Sequence, residues 1–243
     1  MQPARLFSST ASFTAHDRTM VPMTPFHLYL DSADLAELRG CLPHPVVHGV
    51  TTNPTLLKRA GVKRGELAGL LARCLELGAR QVQAQVHAAD MEGMLADAQG
   101  LLRAFDPGQL VIKIPATRAG FAAGAVLSGR GVPVTYTAVY ALEQAHFAAQ
   151  LGAAYAAPYL GRLLDSGVDG LALIANMQRL VSTSGSAMRL LPASVRTRQA
   201  YLDLLQLGVG AITIPPRLFA ELMDHAATLD AERGFLADAA SMG

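Results

Sequence analysis

The sequence predicts an α/β protein folded as a (β/α)8 TIM barrel, and three observations predict it. From His27 onward, eight short apolar runs rich in β-branched residues alternate with longer amphipathic stretches. Such runs read as strands buried on both faces of a parallel sheet. Glycine and proline punctuate the joints: Gly131-Val132-Pro133 and Gly208-Val209-Gly210 each stand between a helical pattern and the next strand, where helix C-terminal glycines belong. Eight strand–helix units in about 215 residues fit a closed barrel with right-handed crossovers. The fallback is an open doubly wound sheet, but no strand is followed by the Gly-x-Gly-x-x-Gly turn of its dinucleotide-binding version.

The strands are expected at 27–31, 46–52, 81–86, 110–115, 133–139, 153–159, 188–194 and 211–215. Helices are expected at 33–39, 64–77, 91–105, 118–130, 141–152, 170–182 and 197–207, with a last one beginning near Arg217. One barrel domain over 26–243 follows, because α/β barrels run to about 250 residues as a unit. Residues 1–25 are rich in serine and threonine, with Arg5, Arg18 and the single acid Asp17. They read as a disordered N-terminal extension, with a transit peptide or a misassigned start (Met20 or Met23) as alternatives.

Composition narrows the function. At 51% hydrophobic and 16% charged, the 243 residues cannot be a disordered chain and can bury a sizeable core. Mean hydropathy is +0.28, yet no apolar run reaches the roughly 18 residues of a spanning helix. A net charge of +1 and a pI near 7.9 leave no basic footprint for nucleic acid. Cys41 and Cys74 make neither a disulfide framework nor a zinc site, and the histidines show no metal-ligand spacing, so a reducing, cytoplasmic compartment and no metal are expected.

In a barrel the chemistry sits at the C-terminal ends of the strands. Taken in order, those ends offer Asp31, then Thr51-Thr52-Asn53-Pro54, Gln85, Lys113, Thr135 with Thr137, Tyr159 with Arg162 beyond it, Ser194 with Arg196, and Thr213. Lys113 stands out. The chain has three lysines, and Lys58 and Lys63 fall in a polar stretch that a solvated loop explains. Lys113 instead lies inside Leu110-Val-Ile-Lys-Ile-Pro115, and alternation puts it on one face with Val111 and Pro115, opposite Ile112 and Ile114. A buried lysine must be paired or lose its proton, and an unprotonated amine is what Schiff-base chemistry on a carbonyl requires. The competing explanation is a structural Lys113–Asp31 ion pair. Asn53-Pro54 could equally open a turn or cap a helix. Ser194 and Arg196 could be a cap and a surface charge, or join Arg162 in an anion site.

The motifs Leu28-Tyr-Leu-Asp31, Gly49-Val-Thr-Thr-Asn-Pro54, Ala84-Gln-Val86, Val111-Ile-Lys-Ile-Pro115, Thr137-Ala-Val-Tyr140 and Ala157-Pro-Tyr-Leu-Gly-Arg162, in that order, resemble the transaldolase family and within it the small fructose-6-phosphate aldolase branch. The resemblance covers about residues 27–235 and implies the same barrel. By that resemblance Lys113 is the Schiff-base lysine and Asp31 assists proton movement. Asn53 and Thr51 orient the dihydroxyacetone portion, and Ser194, Arg162 and Arg196 bind phosphate. Transaldolases proper carry Glu at Gln85 and Phe at Tyr159. Gln85, Thr137 and Tyr159 are thus the aldolase-like set, with tyrosine and a held water supplying proton transfer, whereas Gly161 is the transaldolase-like residue. The resemblance implies sugar-phosphate substrates, no cofactor, and a class I aldolase, with dihydroxyacetone transfer to erythrose 4-phosphate as the alternative. A catalytically silent sugar-phosphate-binding barrel is the third reading, though such a relative would be expected to lose Lys113, Asp31 or Asn53. The branch forms pentamers and decamers. A homo-oligomer is therefore implied, with Leu218, Phe219, Leu222, Met223, Leu229, Phe235 and Leu236 available either to a neighbour or to packing on the barrel.

Overall fold

The computed structural model describes residues 26–242. Its strands are β1 (His27–Asp31), β2 (Val47–Thr51), β3 (Gln81–Gln85), β4 (Leu110–Pro115), β5 (Val134–Val139), β6 (Tyr155–Pro158), β7 (Arg189–Leu190) and β8 (Ala211–Ile214). They form one parallel sheet in the order β7-β6-β5-β4-β3-β2-β1-β8. The Thr213 N–H donates to the Pro192 carbonyl at 3.1 Å across the remaining seam, so the sheet closes into the expected (β/α)8 barrel. The helices are α1 (Leu35–Arg39), α2 (Pro54–Arg59), α3 (Leu67–Glu76), α4 (Met91–Leu102), α5 (Arg118–Gly129), α6 (Leu142–Gln150), α7 (Leu160–Asp165), α8 (Gly170–Thr183), α9 (Arg198–Gln206), α10 (Pro216–Met223) and α11 (Ala226–Ser241). Among the described residues no helix is long and apolar enough to cross a membrane. The first 25 residues, expected to be a disordered extension, lie outside the described ones.

Two buried layers follow from strand alternation. Ile112 and Ile114 point outward into the shell between sheet and helices. Val111 points inward with Tyr29, Tyr155, Tyr159, Leu191 and Ala211. Lys113 shares the face of Val111, as alternation predicts.

Three departures from the sequence reading have physical causes. The seventh strand was expected to span 188–194, yet its ladder is two residues long. The chain nevertheless stays extended: the N–H groups of Arg189, Leu191 and Ala193 donate to the carbonyls of Ala154, just before β6, and of Ala156 and Pro158 within it. Pro192 has no N–H to give the seam side, which interrupts the ladder there. Residues 54–59, read in part as a polar loop, form α2, with Asn53 accepting from the Leu56 N–H at 3.0 Å and Pro54 fixing the first turn. The last helix is two helices, broken by extended backbone at Asp224 and His225. Leu218 and Phe219 of α10 pack into the barrel shell, whereas α11 buries nothing.

The N-terminal end of the barrel is plugged by polar aromatics. The Tyr29 hydroxyl bonds Gln81 Oε1 at 2.5 Å and pairs with the Tyr155 hydroxyl at 2.8 Å. The latter lies 2.6 Å from His27 Nδ1. His27 stacks on His48 with ring centroids 3.7 Å apart. Burial, then the charge on neighbouring titratable groups, pushes both imidazoles down to about 4. They are therefore neutral in the folded chain at pH 7, while an unfolded histidine takes a proton near 6.5. Their contribution to stability is full above pH 6.5 and is lost as pH falls from 6.5 towards 4. Urea midpoints should fall over that window, and His48→Phe, which keeps a ring on His27 but removes one titration, should flatten the fall.

Candidate active site

At the C-terminal mouth of the barrel a cavity of about 260 Å3 is lined by Asp31, Asn53, Thr55, Leu56, Arg59, Lys113, Tyr159, Arg162, Ala193, Ser194 and Arg196. Seven of these were expected from sequence, drawn from the ends of β1, β2, β4, β6 and β7. The barrel closure brings them together from across more than half the chain.

Lys113 is 2% exposed and donates from Nζ to the Thr52 carbonyl at 3.0 Å. Burial pulls its amine well below the ordinary lysine range, and the charge of Asp31 opposes that pull. Burial likewise pushes the Asp31 carboxyl up, against the nearby Lys113 and a hydrogen bond from Thr51. Burial thus pushes both groups towards their neutral forms, while the charge of each pushes the other back. None of the ion pairs within 4.0 Å among the described residues joins them. The structural ion pair is not what holds Lys113 in place.

Tyr159 is 8% exposed, and its hydroxyl stands 2.9 Å from Thr137 Oγ1. Burial raises its pKa, so the phenol keeps its proton at neutral pH. The β5–β6 register slips between Tyr136 and Val139, where Ala138 has φ +55°, and this bulge sits beside Thr137. Bulges of this kind re-aim side chains near sites. The Arg162 guanidinium lies 4.9 Å from the centre of the Tyr159 ring, a cation–π contact that fixes both.

Three expected residues stand off the cavity wall. Thr51 is fully buried behind Asp31, to whose Oδ1 its hydroxyl donates at 2.7 Å. Thr137 stands behind Tyr159. Gln85 is half-buried in register beside Lys113 and makes no side-chain hydrogen bond with a described residue. Asn53 has two duties: its Oδ1 caps α2, which leaves the amide N–H2 as a donor on the cavity wall.

The cavity wall that carries Ser194 and Arg196 is tightly built. Ser194 adopts φ +58°, a conformation that non-glycine residues rarely hold outside functional sites. A Cβ on Gly161 would lie 2.5 Å from the Ser194 carbonyl oxygen and 2.8 Å from Arg196 Nε. Only glycine at 161 lets this segment sit so close. Both terminal nitrogens of Arg196 bind Asp165, each at 2.7 Å. Sequence reasoning missed Arg59, which faces the same cavity from α2 and has no partner among the described residues. Its signal was present: once Asn53-Pro54 opens a helix, Leu56 and Arg59 are three apart and share a face.

The family model described as Transaldolase/Fructose-6-phosphate aldolase matches residues 28–242. A protein of Coprothermobacter proteolyticus named "Probable transaldolase" is 35% identical over 210 residues, 86% of this chain and 94% of the relative. One of the same name from Caulobacter sp. (strain K31) is 35% identical over 216 residues, 89% of this chain and 97% of the relative. Among solved structures, a thiamine phosphate pyrophosphorylase from Pyrococcus furiosus aligns with TM-score 0.52 at 14% identity, covering 79% of this chain and 86% of that one. A mandelate oxidase variant aligns with TM-score 0.55 at 18% identity, covering 79% of this chain and 64% of that one. These two share the barrel fold alone. The family match over nearly every described residue, on a barrel whose mouth gathers a buried lysine, an aspartate and an arginine-lined cavity, places this chain in the transaldolase/fructose-6-phosphate aldolase family.

Proposed function

We propose that the protein is a class I aldolase that cleaves and forms fructose 6-phosphate through an enamine on Lys113. The observation that carries this is the buried, deprotonation-prone Lys113 amine opening into a cavity shared with Asp31 and Tyr159. Lys113 Nζ adds to the C2 ketone, and the carbinolamine loses water to give an iminium, with Asp31 donating the proton that departs in that water. Asp31, then a carboxylate, takes the proton of the C4 hydroxyl. The C3–C4 bond breaks, its electron pair forms the enamine double bond and neutralises the iminium nitrogen, and glyceraldehyde 3-phosphate leaves. The enamine takes a proton at C3 from Tyr159, directly or through water, with Thr137 holding the phenol and Gln85 orienting. Water then hydrolyses the iminium, releasing dihydroxyacetone and the free amine, and the proton set free returns to Tyr159. Asn53 holds the dihydroxyacetone unit through its free amide N–H2, and Thr51 acts through Asp31. The leaving aldehyde's phosphate is held by Ser194, Arg162 and Arg196, with Arg59 closing from the opposite wall.

A second reading, transfer of the dihydroxyacetone unit to erythrose 4-phosphate, is favoured by Gly161 and by the naming of the Coprothermobacter and Caulobacter relatives. It uses the same steps as far as the enamine. We also propose that a second copy of this chain covers α11, whose Phe235 and Leu236 are 71% and 64% exposed.

Borohydride with dihydroxyacetone should attach the three-carbon unit to the Lys113 peptide, and an unmodified peptide rejects the covalent chemistry. Lys113→Arg should lose on the order of 10³-fold or more in kcat with unchanged circular dichroism, because arginine keeps its proton. Fructose 6-phosphate alone should yield free dihydroxyacetone; product only after erythrose 4-phosphate is added assigns the transferase. Arg59→Gln should raise KM for glyceraldehyde 3-phosphate about tenfold and leave unphosphorylated glyceraldehyde unchanged, the difference of one charge-assisted contact.

A further inference from the structure

Strand β8 sends one polar side chain into the barrel, Thr213, and neither the fold nor the proposed reaction explains it. It is 1% exposed, and its hydroxyl lies 2.7 Å from Thr51 Oγ1. Thr51 in turn stands 2.7 Å from Asp31 Oδ1. Three strands thus contribute to one chain of hydrogen bonds: Thr213 from β8, Thr51 from β2 and Asp31 from β1, which lies between them in the sheet. We propose that Thr213 is a positioning residue that fixes the proton order of this chain and so ties one oxygen of Asp31, leaving the other to exchange the proton with substrate.

The argument is one of hydroxyl capacity. A threonine hydroxyl donates once and accepts through two lone pairs. When Asp31 is ionised, Thr213 donates to Thr51 and Thr51 donates to Asp31, so both hydrogens are used. A proton on Oδ1 of Asp31 would force Thr51 to donate to Thr213, and the Thr213 hydrogen would then have no acceptor among the hydrogen bonds of the described residues, a costly loss for a buried hydroxyl. The proton that Asp31 takes and gives is therefore confined to Oδ2, while Thr51 keeps donating to Oδ1. A hydroxyl also bonds a carboxylate more strongly than it bonds a neutral carboxyl group, so the chain opposes the upward push of burial on Asp31. Ionised Asp31 is the state that removes the C4 hydroxyl proton, and this inference rests on that mechanism.

Other charges reach Asp31 too. Lys113 and Tyr159 face it across the barrel, and Arg59, Arg162 and Arg196 line the same cavity. Asp34, Glu37 and Arg217 line the cavity adjoining it on the α1 and α10 side. None of them is hydrogen-bonded to Thr213, so changing Thr213 alters the chain while leaving those charges in place.

The test compares Thr213→Val, Thr213→Ala and Thr213→Ser in the full chain. The readout is the pH profile of kcat/KM for fructose 6-phosphate cleavage, with Asp31→Asn identifying the limb that belongs to Asp31. The valine and alanine variants should move that limb to higher pH by about 0.5–1 unit, the worth of one hydrogen bond. The serine variant should keep the parent profile. An unmoved limb in a folded valine or alanine variant overturns the proposal, as does a moved limb in the serine variant. Borohydride trapping of Lys113 runs alongside: trapping that persists while the limb stays put sinks the role of Thr213 alone, whereas trapping that fails in the parent protein sinks the lysine chemistry beneath it.

Discussion

Everything at the mouth of this barrel depends on keeping one amine out of water. Lys113 is all but inaccessible, and a charged ammonium there would lose its hydration without a carboxylate in contact to replace it. Burial answers this by weakening the amine's hold on its proton, and the nitrogen has a carbonyl, that of Thr52, to donate to. The requirement then spreads down the tube. Interior positions that other barrels fill with branched apolar residues carry hydroxyls and amides here, and these pair with one another: Thr135 with Gln83, Thr51 with Thr213, Tyr29 with Gln81 and Tyr155. Each bond fixes a rotamer, and fixed rotamers are what preorganise a site before substrate arrives.

That polar column ties the barrel end opposite the cavity to the cavity itself. The stacked His27 and His48 complete the column at its base, and they are neutral because they are partly withdrawn from water. Protonating them would put two like charges ring to ring. The expected acid sensitivity of the fold and the lowered basicity of Lys113 thus have one origin, which is desolvation inside the same sheet.

The strands and Lys113 were legible because each is written in a local pattern. Alternation gives the face of a residue, and one lysine among β-branched neighbours has few explanations. Alternation does not give depth, which is why Thr51 was expected at the substrate and instead lies behind Asp31. The short helices α2 and α7 were missed because each begins immediately after a strand end, and six residues carry too little periodicity to announce themselves. Arg59 was lost with α2. The positive φ of Ala138 and Ser194 leaves no mark in sequence at all, since neither residue type favours that conformation. They are set by the bulge in β5 and by the close approach of Gly161, both tertiary facts.

The pairing of Arg196 with Asp165 shows how a side chain can be ordered at little depth in free energy. The Arg196 fork is held by Asp165, and both side chains are at least half exposed. A solvent-exposed pair of this kind is weak, because water and salt screen it. It orders the guanidinium at little depth in free energy. Under the proposed function, a phosphate, with up to twice the charge of a carboxylate, would enter between Arg162, Arg196 and Ser194 and would displace Asp165 or share the remaining Nε–H. Asp165 then acts as a placeholder whose removal would loosen Arg196 as well as free it. Gly161 completes the arrangement, because any side chain there would push Ser194 and Arg196 apart before an anion could bring them together.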